Sequence, residues 1–441
     1  MLKTDKDLKF TKADEINAWL ADKTPLQIAE KTARLDPDQQ EAVFRELSRE
    51  LSLRVFKQLN VAQQERMLKV AEQEHAFSLV EELDPDDRAR LFNELPAHEV
   101  DDHLAELSAE ERRLTNQLLS YPEESAGRIM SPEFLALSPD MTVVEALDYI
   151  RKHGHKAETI HTLPVTDEQN QLMGICELGD LVLSTSERQI SDIMHKDPHA
   201  VKADADQEKV ARLLQAADLL AIPVVDEDNM LLGIVTIDDA MDVLTLEEGE
   251  DLARSGGTEP LGRPYFSVSD FRLAKSRVLW LVVLIVAATL TVQVLNLFES
   301  TLETAVNLAL FIPLLIGTGG NAGAQASTTI VRSMAVGDVH PNDFIRTILR
   351  EGRVGFMLGA MLGLVSYLPV SLYAGQALAL VVSLTLVSIC TLASAVGSTM
   401  PLAARFFGVD PAVASAPFVT TIIDASGLLV YFLIARAVLN L

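Results

Sequence analysis

In the stretch VTTIIDASGLLVYF, residues 419–432, a single carboxylate, Asp424, stands among side chains that otherwise favour lipid. An ionised carboxylate at the centre of a bilayer costs at least ~2.5 kcal/mol on insertion scales, so a chain keeps one only for a purpose. Two kinds of purpose are open. The acid can be held protonated or bonded to Thr420 or Thr421, or it can be a cation ligand in an aqueous path. Its companions Thr420, Thr421 and Ser426 offer oxygen alone, and the apolar run 411–435 contains no His or Cys. Oxygen ligation suits a hard cation such as Mg²⁺ or Ca²⁺ better than Zn²⁺ or Cu⁺. One carboxylate per chain cannot build an all-protein cage. Mg²⁺ keeps much of its water and binds through one or two carboxylates, so a homodimer presenting two copies of Asp424 would suit it.

A second stretch, FIPLLIGTGGNAGAQASTTIVRSM (residues 311–334), carries Pro313, Gly317, Gly319, Gly320, Asn321, Gly323 and Gln325. Helix breakers and amides at membrane depth are tolerated where they pack against protein or line water. Close packing through small residues accounts for the glycines and less well for Asn321 and Gln325. Pro313, Gly317, Gly319, Gly320, Asn321 and Gln325, with Pro417, Thr420 and Thr421, are therefore the expected lining of a path that leads to Asp424.

These residues need a membrane scaffold. No charged residue occurs in 278–298, 304–331 or 354–404, and 411–435 contains only Asp424. A spanning helix needs about 20 apolar residues, so the long middle run holds two around SLYAGQ, giving five transmembrane helices. Arg272, Lys275 and Arg277 precede the first, Arg332, Arg346, Arg350 and Arg353 fill the second connection, and Arg405 marks the fourth. The first external connection has Glu299 and Glu303 and no Lys or Arg. The positive-inside rule then places residues 1–277 in the cytoplasm and the C-terminus outside, with Arg436 alone against it. The expected location is a bacterial cytoplasmic (inner) membrane, with lipid around the spans.

The remainder is acidic. Residues 271–441 hold nine Lys/Arg and seven Asp/Glu, which leaves 28 basic and 56 acidic residues in 1–270, a formal charge of −28 against −26 for the 441-residue chain. Such a surface repels nucleic acid and concentrates cations, although acids also simply keep a protein soluble. Cys176 and Cys390 lie far apart and argue against a disulfide framework or a thiolate metal site. The first residues, MLKTDKDLKF, are charged and have no apolar core, so no signal peptide is expected.

Two internal repeats organise the acidic part. LDPDQQEAVFREL at Leu35 and LDPDDRARLFNEL at Leu83 have weaker copies at Leu59 and Leu107, a period of 24 residues. Asp36, Asn60, Asp84 and Ser108 read as N-caps, Pro37 and Pro85 as first helical residues, and Ser108 with Glu111 as a capping box. Helices of about ten residues restarting at a fixed period predict a small α-solenoid. Residues 129–181 are then echoed by 193–244: amphipathic helix, buried strand (LPVT, IPVV), acidic turn, second strand, final helix. This resembles a tandem CBS-domain pair. The resemblance implies an adenine-nucleotide site at Thr236 and Asp239, the Thr-x-x-Asp of that family, and thus ATP as a candidate ligand. The first copy has Glu177 where the Thr would stand, and its charge would repel a phosphate.

Over nearly its whole length the chain resembles the MgtE family of magnesium channels, above all in PLLIGTGGNAGAQ (residues 313–325) and GVDPAVASAPFVTTIIDASGLLVYF (residues 408–432). The expected architecture is a multidomain membrane protein: α-solenoid N domain (1–125), α/β tandem CBS pair (126–189 and 190–250), linking (plug-type) helix (251–277) and all-α five-span pore domain (278–441). The resemblance implies a homodimer with a central pore, hydrated Mg²⁺ at Asp424, and closure by cytosolic Mg²⁺. Mg²⁺ is then both substrate and regulator. The sensor acids would be Asp86, Asp206, Glu208, Asp218, Asp239, Asp242, Glu247, Glu250 and Asp251. Arg90 stands where an acid would help the N domain bind Mg²⁺, and Ala324 and Ala416 where a family member can carry an amide.

Three other readings compete. The cargo could be another divalent ion (Co²⁺, Mn²⁺ or Ca²⁺), since hydrated ions of equal charge look alike to one carboxylate. An intramembrane aspartyl protease needs two aspartates, and this chain supplies one per copy and gives the Gly- and amide-rich span no task. A non-transporting CBS membrane sensor would leave Asp424 and GTGGNAGAQ without a role. The expectation is a transport protein and no enzyme.

Overall fold

The computed structural model describes residues 10, 13–71, 73–261, 265, 268–413 and 416–441, and the chain divides into two compact units, Met1–Leu246 and Glu247–Leu441.

In the first unit the 24-residue period is a pair of helices rather than one. The expected set is Pro37–Glu46, Val61–Val70, Pro85–Glu94 and Ala109–Ser120, and a second set alternates with it: Pro25–Thr32, Arg49–Phe56, Gln73–Glu81 and Ala97–Glu106. Each helix packs on the members of its own set before and after it, as stacked repeats must if neighbours are to bury the apolar face that one repeat leaves open. Ile28, Val43, Val55, Phe56, Met67, Leu79, Val80 and Leu91 fill the seam. The caps follow the sequence unevenly. Asn60 and Gln63 form a capping box, but Asp36 and Asp84 make no side-chain cap, and Asp84 takes Lys57 instead at 3.1 Å. Ser108 accepts the Glu111 N–H while the Glu111 carboxylate turns to Arg88, so the box expected there is half made.

Arg88 explains that diversion. Its side chain is fully buried, and all five of its N–H groups have an acceptor. Nε donates to the Val80 carbonyl, Nη2 to those of Glu81 and Leu83, and Nη1 to Glu111 Oε2 and Thr115 Oγ1, at 2.6 to 2.9 Å. It closes the C-terminal carbonyls of helix Gln73–Glu81 and ties that helix to Ala109–Ser120.

The CBS-like pair follows in the same unit. Strands β1 (Thr162–Thr166), β2 (Leu172–Glu177) and β3 (His195–Lys196) form an antiparallel sheet; β4 (Val201–Lys202) pairs parallel with β5 (Ala221–Val225), which pairs antiparallel with β6 (Leu231–Thr236). Helices Val143–His153 and Gln207–Ala216 bury one face each on the sheets, capped by Thr142 and Asp206. The two copies meet through their turns. Asn170 and Asn229, both at φ 63°, each donate their amide to the other copy, to the Leu231 and Leu172 carbonyls at 2.9 Å.

The last CBS helix is long. It runs from Ile237 to Ser255 and ends at Gly256 and Gly257, the latter at φ 68°, a left-handed value that glycine accepts without strain. The stretch 251–277, expected as one linking helix, is therefore interrupted. The next helix begins at Asp270, capped by Ser269, and continues unbroken to Leu297 as the first span.

Among its described residues the second unit contains five helices long and apolar enough to cross a membrane: Asp270–Leu297, Val306–Ala335, Pro341–Ala374, Gln376–Phe406 and Ala416–Leu439. The third and fourth are joined by Gly375 alone, at φ 90°, within the predicted SLYAGQ turn. Gly355, Gly359 and Gly363 bring them into backbone contact. A Cβ on Gly359 would lie 2.5 Å from Val387 Cα, and one on Gly355 2.4 Å from the Cys390 carbonyl oxygen. The second and fifth spans pack on the fourth and on each other. Arg436, the cation that offends the positive-inside rule, is held by protein: it lies 4.7 Å over the Phe298 ring and donates to Thr301 Oγ1.

Arg88→Ala is expected to destabilise the first unit by ~3 kcal/mol, because Glu111 and three carbonyls lose their donor in a dry site. Thermal unfolding of the detergent-solubilised chain, followed by Trp fluorescence, measures it.

Candidate functional site

In the second span Pro313, Gly317, Asn321 and Gln325 recur every fourth residue, and all four are exposed in the chain. In the fifth, Pro417, Thr420, Thr421 and Asp424 share one face at spacings of three and four, each half-buried. Gly320 sets these two spans side by side. A Cβ at that position would lie 3.2 Å from Thr420 Cγ2 and 3.8 Å from Asp424 Oδ1. The glycines thus divide by task. Gly319 faces Ile389 and Ile423 and Gly323 faces Val419 and Ala393, which is close packing, whereas Gly317 meets open space.

Among the described residues Asp424 makes no hydrogen bond and no ion pair. The neighbours that could have quieted it are engaged with backbone: Thr420 and Thr421 donate to the Pro417 carbonyl at 2.8 and 2.9 Å, and Ser426 donates to Ile422. The local-bonding explanation of the acid therefore fails. The carboxyl group of Asp424 is left without a hydrogen-bond partner among the described residues, beside the exposed row of Pro313, Gly317, Asn321 and Gln325.

The expected sensor acids fall into both units. In the first, Asp86 on helix Pro85–Glu94 is buried and its Oδ1 has no hydrogen-bond partner. Burial, with Asp239, Asp87 and Glu158 alongside, holds its carboxyl well above the ordinary range. Asp239, which accepts the Thr236 hydroxyl at 2.7 Å, is pushed up to about 6 by burial, with Asp238 and Asp87 adding to it. Glu158 is pushed up to about 7, by burial first and then by Asp239. Arg90 bridges the same region, with Nη2 2.6 Å from Asp87 and Nη1 2.9 Å from Asp242. Asp206, Glu208 and Asp218 are placed otherwise: Asp206 caps helix Gln207–Ala216, Glu208 pairs with Arg212, and Asp218 occupies a left-handed position at φ 52°. In the second unit Glu250 pairs with Arg254. Glu247 and Asp251 belong to the same helix end. Among the described residues no three of His, Cys, Asp and Glu are grouped to hold an ion by themselves, so a bridging ion here would keep waters or draw the acids together.

At the CBS pair, Thr236 and Asp239 are adjacent and bonded to each other, while in the first copy Glu177 accepts from Thr162. The two copies thus differ at this place, a threonine hydroxyl beside Asp239 in the second and the Glu177 carboxylate in the first.

Sequence reading missed several residues. Glu158 sits in a connection without periodicity, and its closeness to Asp239 is a tertiary fact. The Gly355, Gly359, Gly363 row was legible as small residues four apart. Asp410, at the foot of the fifth span, was visible as an acid beside an apolar run.

Family models match three successive stretches of the chain: residues 23–124 as the MgtE intracellular N domain, 126–186 and 190–246 as CBS domains, and 312–434 as the MgtE divalent cation transporter. The magnesium transporter MgtE of Thermus thermophilus is 40% identical over 326 residues, 73% of this chain and 72% of the relative. This chain belongs to the MgtE family of magnesium transporters. The MgtE of Enterococcus faecalis is 36% identical over 328 residues, 74% of this chain and 72% of its own. Among solved structures, the cytosolic domain of the Mg²⁺ channel MgtE in complex with ATP is 31% identical, covering 52% of this chain and 93% of that one with a TM-score of 0.48.

Membership of the MgtE family makes the protein a membrane transporter and not an enzyme. The MgtE cation-transporter match runs through both polar faces and Asp424.

The acids of the first unit give a signed pH dependence. Asp239 and Glu158 bind protons more tightly folded than unfolded, so between about pH 4 and pH 7 the folded state holds more protons and loses stability as pH rises. In metal-free buffer Glu158→Gln is expected to stabilise the protein at neutral pH by roughly 1 kcal/mol, allowing for partial exposure, and to flatten that slope. Urea unfolding in EDTA at pH 5 and pH 7.5 checks both.

Proposed function

We propose that the chain is a Mg²⁺-selective channel for Mg²⁺ uptake, closed from the cytosolic side when Mg²⁺ binds the acids of the N domain and CBS pair. The observation that carries this reading is Asp424: an intramembrane carboxylate without a partner among the described residues, beside Gly320 and the exposed row Pro313, Gly317, Asn321 and Gln325. Such a row cannot face hydrocarbon, where unsatisfied amides are costly. Water and a second copy of the chain are its proper cover. The protein therefore acts as a homodimer in which two Asp424 carboxylates face one hydrated ion, which keeps its inner waters and is bound through them. Outside the membrane, Leu183 is 88% exposed and Val182 66%, an apolar surface on the CBS pair that a second copy would also cover. The basic residues flanking the spans support a cytoplasmic N domain and an external C-terminus in an inner membrane.

The gate follows from electrostatics. Asp86, Asp87, Glu158 and Asp239 repel one another when ionised, and a divalent ion relieves that repulsion only while the solenoid and the CBS pair stay docked. A ligand that binds one arrangement shifts the population toward it. Loss of Mg²⁺ loosens the arrangement and the pore opens. An adenine nucleotide, ATP above all, at Thr236 and Asp239 is a lesser proposal resting on those two side chains.

Mg²⁺ flux into liposomes, with the purified chain and Asp424→Ala side by side and internal Mg²⁺ varied, tests the reading. Flux is expected to require Asp424 and to fall as cytosolic-side Mg²⁺ rises. Normal flux through Asp424→Ala would sink the pore assignment, and preference for Co²⁺, Mn²⁺ or Ca²⁺ over Mg²⁺ would transfer the cargo. A chain lacking residues 1–250 is expected to stay open in high Mg²⁺; if it still closed, the sensing role of the acidic part would fall.

A further inference from the structure

Between Arg212 and Arg263 the sequence contains twelve acids and one basic residue, Arg254. That residue lies in the last turn of helix Ile237–Ser255, where a cation favours the helix dipole. Its guanidinium does more than that. Nη2 meets Glu250 Oε1 one turn back, and Nη1 donates to Asp410 Oδ2 at 2.6 Å, across 156 positions of sequence. Both partners and the arginine side chain are about two-thirds or more withdrawn from solvent, so the contact is screened less than a surface pair.

Asp410 is fixed from its other side. Its Oδ1 accepts the Ala412 N–H at 2.8 Å, and this turn starts the short helix Pro411–Val413, whose Ala412 is buried. Just past Arg254, Gly257 lies against the fifth span: a Cβ there would come 3.3 Å from Pro417 Cγ. Pro417 is seven residues before Asp424, two helical turns or about 10 Å along the axis. The end of the helix that leaves the CBS pair is thus fastened beside the foot of the span that carries the intramembrane acid. The fastening runs through one guanidinium held by two carboxylates.

We propose that Arg254 is a tethered counter-ion that positions the fifth span: it stands between Glu250 and Asp410 where a divalent cation would otherwise be required, so this tie is made without metal. The inference rests on the channel reading for its consequence but not for its geometry. Glu250, expected from sequence as a sensor acid, is occupied by the arginine and leaves the ion-binding set. Cytosolic Mg²⁺ acts on the remaining acids, and Arg254 transmits the result to Pro417 and the face of Asp424. Arginine suits the task because its planar fork meets two carboxylates at once and carries its charge at every physiological pH.

The test is hydrogen exchange of the full chain in detergent, read on peptides covering residues 248–261 and 408–416, with EDTA and with saturating Mg²⁺. In EDTA, Arg254→Gln is expected to raise exchange of the Ala412 and Val413 amides about tenfold, the scale of one lost charged hydrogen bond. Asp410→Asn keeps the Oδ1 acceptor for Ala412 and removes the charge, and is expected to loosen residues 253–258 to the same degree. Arg254→Lys, which keeps the charge and loses the fork, is expected to fall between wild type and Arg254→Gln. Unchanged exchange in both Arg254→Gln and Asp410→Asn would overturn the proposal. So would Arg254→Lys behaving like Arg254→Gln, or a large further protection of wild type at these peptides by Mg²⁺, which would make metal the tie. In liposomes the Arg254→Gln channel is expected to need about threefold or more internal Mg²⁺ to close, as one charge-assisted contact is lost. Absence of any flux from wild type would remove the channel reading while leaving the exchange result to decide on Arg254.

Discussion

Everything in the membrane half depends on the cost of leaving polar groups dry. Among the described residues Asp424 has no partner, and Asn321 and Gln325 stand exposed on the adjoining span. In hydrocarbon neither arrangement survives, so the surrounding structure is organised to keep that face away from lipid. Gly320 removes the side chain that would separate the two spans, Gly319 and Gly323 seat the second span against Ile389, Ile423 and Val419, and the fourth span supplies a buried backing. The site is thus two polar edges on an apolar frame, and the chain alone leaves them open.

Outside the membrane the governing quantity is like charge. The first unit and the helix that leaves it carry far more carboxylates than cations, and three arginines stand at the points where elements from distant sequence must meet. Arg88 joins two solenoid helices, Arg90 joins a solenoid helix to the last CBS helix through Asp87 and Asp242, and Arg254 joins that helix's end to Asp410. They differ in setting. Arg88 is dry and fully satisfied, whereas Arg90 is exposed enough that its pairs contribute at most about 1 kcal/mol. The carboxylates around Asp86 lie between these extremes, too buried to ionise freely and too few in reach of one another to bind an ion unaided.

Much of this was legible in sequence because it follows from local periodicity. The 24-residue spacing, the doubled CBS pattern and the charge-free runs each mark elements whose type is set by which residues recur on a face. Half of the solenoid was missed for the same reason: helices such as Arg49–Phe56 lack the Leu-Asp-Pro start that made their partners visible. The linking helix was drawn too long because Gly256 and Gly257 end a helix inside it, the second of them at a left-handed backbone value. Asp424 and its polar neighbours stood out by type alone. Which glycines pack on Ile389 and which lie beside Thr420 and Asp424 did not, since Gly319 and Gly320 differ by one position and only the neighbouring helices decide between them. The Glu111 carboxylate was assigned to a cap that Arg88 outcompetes, a choice made by burial between residues 23 apart.

The hairpin of the third and fourth spans sets a mechanical limit. Where Gly355 and Gly359 lie on the backbone of the fourth span there is no layer of side chains to rearrange, and Gly375 leaves no slack at the turn. Those two helices therefore move as one stiff plate. Ile389 projects from that plate against Gly319 of the second span and touches the Gly427 position of the fifth. The plate meets the second span again where Gly397 lies on the Gly323 backbone, so the two polar-edged helices rest on a seam of small residues with Ile389 at its centre, and any shift between them has to slide along that seam.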